Sequence, residues 1–396
     1  MRRLKSCLAA ICAIWACNFA SAQDRGFASA IEWSPDGETI AIASTTGLWL
    51  FDAEFNELGH VQVKQGDFGF APRSVDWNAS GDLVAIGYPR IVTGGPPIQI
   101  VDIKRLEVVT EIDPPASLWT QVEWRPTENH LAAGTWTGET FVWDALTGEA
   151  VFSFQENDEQ TNFSWNSTMA VCWFSKSVIA VITQWETYVV DVELNTVVHS
   201  FDIRNLHFPP ECNAERKIID TVEGMFHVEI GAYSETYKPW RDDNDFSLIE
   251  RIFPESHDFV SEVQDQEFSP DGNKIVSNFE GCRITVFDTR NGRLLALIRG
   301  GIYFVQEPLT PFLDSLAWHP DGSRFAAVGQ FGGIRIWDAE TFDLLQRFDG
   351  YKAGYGELSA IFQSRSKHEF KEEDVARIEA LESKCITELN SEPAKK

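Results

Sequence analysis

With 60 aspartates and glutamates against 33 lysines and arginines, the chemistry to look for first in this chain is proton transfer between carboxyl groups. Glycoside hydrolysis uses two of them, one to protonate the leaving oxygen and one to attack or to activate water. No pair stands out by its spacing. Asp242-Asp243-Asn244-Asp245 offers the hard oxygens that calcium takes, but it lacks the turn glycine and distant bidentate glutamate of a calcium loop, and it reads as a solvated loop. The histidines are scattered: His199 and His207 are not at a metal-ligand spacing, His60 and His130 have no partner in sequence, and His319 falls at an exposed turn position. No His-Glu-x-x-His run, Gly-x-Ser-x-Gly elbow or phosphate-cradling glycine loop occurs. The chain therefore reads as non-catalytic, with no cofactor and no metal.

Cysteine chemistry depends on the compartment. Arg2, Arg3 and Lys5 precede an apolar run from Leu8 to Ala20 that ends at Ala20-Ser21-Ala22, the pattern of a signal peptide over residues 1–22 with cleavage after Ala22. The mature chain is expected outside the cytoplasm, secreted or periplasmic. Lipidation at Cys17 is the weaker alternative, because bulky Trp15 stands where a small residue is normally needed. No later apolar stretch is long enough to cross a bilayer, so no transmembrane span is expected in the mature chain. Cys172, Cys212, Cys282 and Cys385 then remain, and four cysteines allow three pairings. Cys172 reads as a small core residue. Cys212 and Cys282 are expected on one face of the fold, where a disulfide between them is the candidate bridge.

The elements that must position these residues follow from a repeat. Trp33-Ser34-Pro35-Asp36-Gly37 returns as Trp77-Asn78-Ala79-Ser80-Gly81, Phe268-Ser269-Pro270-Asp271-Gly272 and Trp318-His319-Pro320-Asp321-Gly322, with weaker copies at Trp124 and Trp173. Proline fixes one backbone angle, Asp bonds backbone groups beyond it and Gly accepts positive φ, so the chain must reverse there. A second landmark, an apolar pair followed by Asp, closes each unit at Asp52, Asp102, Asp144, Asp191, Asp288 and Asp338. Alternating apolar runs flank both landmarks and make each unit four strands. The interval from Trp173 to Phe268 is about twice the others, which places a divergent fifth unit at about residues 203–260.

These motifs resemble the WD-repeat family from about Ala28 to Asp349. The resemblance implies an all-β, seven-bladed β-propeller of four-stranded antiparallel blades over residues 23–349, a fold usually employed to hold other proteins. The family's Gly-His pair before each first strand is missing, since Gly59-His60 falls in an expected fourth strand, and so is its Asp between second and third strands. Apolar packing is expected to replace the family's internal polar network. Exported bacterial propellers that assist envelope transport share the Ser-Pro-Asp-Gly turn. Residues 350–396 differ in kind: Val375, Ile378, Leu381, Cys385 and Leu389 recur at helical spacing and predict a short C-terminal helical tail, with an amphipathic helix at about 372–389.

Antiparallel strands put the second-to-third turns and the blade-to-blade loops on one face. The long connections fall there, as do aromatic residues, among them Tyr88, Trp119, Trp136, Trp165 and Tyr303. Trp119, Trp136, Trp165 and Tyr303 are the candidate partner-binding residues, because large rings supply contact area at small entropic cost. Loss of the signal moves the formal charge from −27 to −30, which repels nucleic acid and favours a protein partner with a basic surface. The reading is a non-catalytic extracytoplasmic platform. Its alternatives are an envelope-transport accessory and a hydrolase of sugars or peptides in the central channel. Intact-mass measurement of the native protein should give a chain beginning at Gln23; a mass that retains residues 1–22, or a lipid on Cys17, contradicts that cleavage site.

Overall fold

The computed structural model describes residues 25–348 apart from 64–71, 73, 89–96, 115–120, 136, 156–166, 184–185, 203–210, 214–217, 222–223, 230–233, 240–262, 280–282, 291–292, 300–312 and 330–332. The first blade is β1 (Ala28–Trp33), β2 (Thr39–Ser44), β3 (Gly47–Asp52) and β4 (Glu57–Val61). The second is β5 (Ser74–Trp77), β6 (Leu83–Gly87), β7 (Ile98–Asp102) and β8 (Glu107–Ile112). β9 (Glu123–Trp124), β10 (His130–Gly134), β11 (Glu139–Asp144) and β12 (Ala150–Gln155) form the third. The fourth holds β13 (Thr168–Trp173), β14 (Val178–Thr183), β15 (Glu186–Asp191) and β16 (Thr196–Asp202). In the wide interval lie β17 (Glu211–Asn213), β18 (Ile218–Thr221), β19 (Gly224–Glu229) and β20 (Ser234–Pro239), a four-stranded sheet without the Trp and Asp landmarks. β21 (Val263–Phe268), β22 (Lys274–Phe279), β23 (Arg283–Asp288) and β24 (Arg293–Arg299) make the next, and β25 (Leu313–Trp318), β26 (Arg324–Gly329), β27 (Gly333–Asp338) and β28 (Leu344–Phe348) the last.

Every sheet has its four strands in chain order, each antiparallel to the next. The ring closes where β1 meets β25, so no blade borrows a strand from the other end of the chain. The apolar core is not one mass but a set of slabs between neighbouring blades. Ile31, Trp33 and Ile40 of the first blade pack with Ala326, Val328 and Ile334 of the last. Val84 and Ile86 pack against Ala41 and Leu48, and Trp143 joins Ile98 and Ile100. Second strands such as β14 are buried along their whole length and so read as unbroken apolar runs. Fourth strands face water on one side and alternate, as Glu107–Ile112 does.

Both landmarks act through the turn chemistry that their residues suggest. In the first, the Ser34 hydroxyl donates to Asp36 Oδ1 at 2.6 Å, the Gly37 N–H donates to the Ser34 carbonyl at 2.8 Å, and Ser269 and Asp271 repeat the contact at 2.7 Å. Asn78 takes the serine's place and donates from Nδ2 to Ser80 and Asp82 while Oδ1 accepts from the Leu83 N–H. Its side chain is buried and wholly engaged. At the second landmark, Asp102, Asp144, Asp191 and Asp338 each accept two backbone N–H bonds at 2.7–3.0 Å. The chain turns there through left-handed residues, Leu106 at φ 55°, Asn195 at 51° and Phe342 at 61°.

Two residues differ from their sequence reading. His319 is buried rather than exposed, because its turn is inserted between the last and first blades: Nε2 lies 3.1 Å from the Gly37 carbonyl and the ring stands edge-on to Trp33. Tyr88 belongs to the core between the first two blades and not to a loop surface. The same contact makes Gly37 unlike Gly322 in the equivalent turn. Both have φ near +75°, but a β-carbon on Gly37 would come within 2.5 Å of His319 Nε2, whereas one on Gly322 meets only Pro270 at 3.8 Å. Thermal melts should show Gly322→Ala losing about 1 kcal/mol from backbone strain and Gly37→Ala losing clearly more; equal losses would contradict the packing at this seam.

Candidate functional site

In an antiparallel blade the innermost strand bonds its sheet through alternate residues, so the N–H groups between them point out of the sheet. Buried and unpaired they would cost stability, and they need acceptors from outside the blade. The preceding blade supplies them. Asp76 accepts the Trp124 N–H at 2.6 Å and Glu267 accepts the Trp318 N–H at 2.8 Å. Two residues further back along the strand, Ser74 accepts from Val122 at 3.2 Å, Asp265 from Leu316 at 2.8 Å and Ser315 from Ile31 at 3.3 Å. The landmark indoles return the bond: Nε1 of Trp77, Trp124, Trp173 and Trp318 donates to the carbonyls of Glu32, Asp76, Glu123 and Glu267. The last blade has Ala317 at this position, and Glu32 of the first blade instead turns its own carboxylate onto the Trp33 N–H at 3.2 Å.

This geometry places Glu32, Asp76, Glu123 and Glu267 around the channel, each one residue before its landmark. They are partly exposed to the channel although protein surrounds them. Burial pushes the Glu32 carboxyl well above the usual carboxylate range, and the negative charges of Glu267, Asp76 and Glu123 add to the rise against a single N–H from Trp33. Asp76 is pushed up to about 7 by burial, opposed by the N–H groups of Trp124 and Trp77. Glu123 is raised by burial and by Asp76. Across the channel, Gln121 Nε2 donates to Asp265 at 3.3 Å and ties the third blade to the sixth. The contacts between blades are thus polar as well as apolar, which corrects the expectation that apolar packing alone replaces the family's network.

A hydrolase in the channel requires inward-facing carboxyl groups, and these are inward-facing. Asp76, Glu267 and Glu32, however, are occupied by backbone N–H groups. Among the described residues no group of three or more His, Cys, Asp or Glu is arranged to hold a metal ion. No helix among them is long and apolar enough to cross a membrane. The signal that could have revealed this ring was present in the sequence: aligned on the landmark, the preceding residue is acidic in four of the six recognisable units, at Glu32, Asp76, Glu123 and Glu267.

Trp119, Trp136, Trp165, Tyr303 and Cys282 lie outside the described residues, as do the signal segment and the tail. The backbone of Cys212 is part of β17, opposite Ile219. Cys172, read from sequence as a plain core residue, is disulfide-bonded.

No family model matches the chain, and no curated protein sequence matches it. Among solved structures it is similar to the β-propeller domain of Cps50 (Swd1) from Myceliophteria thermophila, with 13% identity, a TM-score of 0.62, and coverage of 79% of this chain and 97% of that one. At that identity the likeness shows the β-propeller fold.

The two populations of carboxyl groups have opposite consequences for stability. For Glu32, Asp76 and Glu123 the folded pKa exceeds the unfolded one, so their contribution is complete below about pH 4 and is lost as pH rises, through about 7 for Asp76. Asp36, Asp144 and Asp338 in the turns are held low; Asp321 is held at about 2, so its support of the fold is complete above the ordinary carboxylate pKa and is lost as pH falls toward about 2. Melting temperature should therefore peak at about pH 4 and decline from there through about pH 7. Asp76→Asn, which keeps an acceptor for the Trp124 N–H, should flatten the decline; an unchanged slope would remove Asp76 from its cause.

Proposed function

We propose that the protein is a non-catalytic binding platform that works outside the cytoplasm and holds a protein partner with a basic surface. The observation that carries this reading is the engagement of Asp76 and Glu267 in the seams, with Glu32 held by the N–H of its own strand. It turns the inner wall into structure and leaves the connections outside the sheets as the surface for recognition. Those between second and third strands, and from blade to blade, leave on one face, held by a frame that does not need to reorganise on contact.

The acidic balance of the chain complements a basic partner and would speed encounter at low salt. The amino-terminal Arg2, Arg3 and Lys5 before their apolar run support export. Trp119, Trp136, Trp165 and Tyr303 are proposed as anchors, since buried aromatic side chains dominate the energetics of such interfaces.

Affinity capture from the exported fraction, followed by titration of the captured protein, tests the proposal. Affinity should fall as salt is raised. Alanine at each of the four anchors should weaken binding about tenfold or more with little change in melting temperature, whereas a ring packed inside a blade should cost about 3 to 5 kcal/mol of stability on truncation. If all four variants melt early, or if all four bind normally, the surface is wrong; turnover of a sugar or peptide substrate, lost in Asp76→Asn, would replace the platform with an enzyme.

A further inference from the structure

The seam between the fourth and fifth blades cannot use the carboxylate bond found elsewhere. Its residue before the landmark is Cys172, and the same position in the fifth blade is also a cysteine. The registers establish the equivalence. In each first strand the landmark residue makes the pair nearest the turn, as Trp33 with Ile40, Trp77 with Val84, Phe268 with Ile275 and Trp173 with Ile179. The next pair is Glu32 with Ala41, Asp76 with Ala85, Glu267 with Val276 and Cys172 with Ala180. In the fifth blade Asn213 pairs with Ile218 nearest the turn and Cys212 with Ile219 next.

Three observations bring these positions together. First, Cys172 is buried and disulfide-bonded. Second, it packs with Phe174, Ala180 and Val189, whereas Trp173, Ile179 and Val181 form the slab shared with Ala132 and Val142 of the third blade. Cys172 thus lies on the side of its blade turned away from the third. β17 abuts β21 on its far side, so that side of the fourth blade belongs to the seam with the fifth. Third, first strands run close enough for a side chain two bonds long to cross a seam: Ser74 Oγ reaches the Val122 N–H and Ser315 Oγ the Ile31 N–H. A cysteine has the same reach.

We propose that Cys172 and Cys212 form a disulfide that joins the first strands of the fourth and fifth blades, a covalent bond where other seams use a carboxylate and an N–H. The inference is independent of the platform reading. Its formation balances as a thiol–disulfide exchange: the two cysteine thiols reduce a donor disulfide, either a disulfide-bearing oxidase or oxidised glutathione, and give one protein disulfide and two donor thiols. The bond closes the seam beside the one blade that lacks both landmarks, and reduction opens it.

Peptide mapping of the full-length protein tests this, with free thiols alkylated as the protein is denatured and digestion carried out without reductant. A linked pair of peptides carrying Cys172 and Cys212 is expected. Alkylated Cys172, a link from Cys172 to Cys282 or Cys385, or a link between Cys212 and Cys282 would overturn the proposal. Cys172→Ser and Cys212→Ser should each expose the other thiol to alkylation and lower the melting temperature by about 5 to 10 °C. The double variant should melt no lower than either single one, because one bond is lost in all three. Losses that add would mean two separate packing roles and no shared bond.

Discussion

The inner edge of each blade is the constraint on which this structure depends. Sheets in most proteins leave their edges to water or cover them with another element, because an unpaired row of N–H groups is costly when buried and adhesive when exposed. Here, among the described residues, the inner edges of neighbouring blades face one another around the channel. Asp76 and Glu267 answer the N–H groups of Trp124 and Trp318, and Ser74, Asp265 and Ser315 answer those two residues earlier. Each acceptor belongs to the preceding blade, so the hydrogen bonds that finish one sheet also fix the position of the next.

The same bonds explain how an acidic chain can line its own interior with acids. Burying Glu32, Asp76 and Glu123 beside the channel disfavours their ionised forms and raises all three, and the negative charges of their neighbours add to the rise for Glu32 and Glu123. It is tolerated because a carboxyl group accepts an N–H in either protonation state. Two aspartates of the turns are in the opposite situation: Asp36 is held low by the Ser34 hydroxyl and Asp338 by the N–H groups of Thr341 and Glu340. One residue type therefore serves two purposes, and whether its donors outweigh its burial decides which way its proton affinity moves.

Most of the fold was legible in the sequence because turn chemistry is local. Ser34-Pro35-Asp36-Gly37 must reverse the chain whatever surrounds it, and the apolar alternation beside it must form strands. The fifth sheet was legible only as an interval, since Glu211–Pro239 carries neither landmark. The carboxylate ring escaped the reading because alternation along a strand assigns Asp76 and Glu123 to a polar side without saying that this side meets the next blade's edge rather than water. His319 was misread for a related reason: a turn residue is exposed in its own hairpin, and only the neighbouring turn at Gly37 buries it. Of the expected partner-binding residues, Trp119, Trp165 and Tyr303 fall in long connections and Trp136 in the short turn between β10 and β11; all four lie outside the described residues.

Ring closure shows how far non-covalent seams can go. Propellers that close by completing one blade with strands from both ends of the chain hold the ring through a full set of ladder bonds; here both terminal blades are continuous in sequence. Their seam adds to its apolar slab several side chains with different chemistry. Ser315 supplies the edge acceptor and His319 reaches the Gly37 carbonyl. Arg25, just before β1, bonds Glu57 at 2.8 Å and lies over Trp49, Phe51 and Phe348, with centroid distances of 5.1 to 5.7 Å. Phe348 ends the last blade and the other two rings belong to the first, so this one guanidinium covers the joint from the outer side. The seam between the third and fourth blades uses the same device, with Arg125 bonding Glu193 and the Lys176 carbonyl while it stacks on Trp173. Arginine suits both places because its planar charge can sit over an aromatic face and still satisfy a carboxylate at its rim, which joins two apolar edges without leaving a buried charge unpaired.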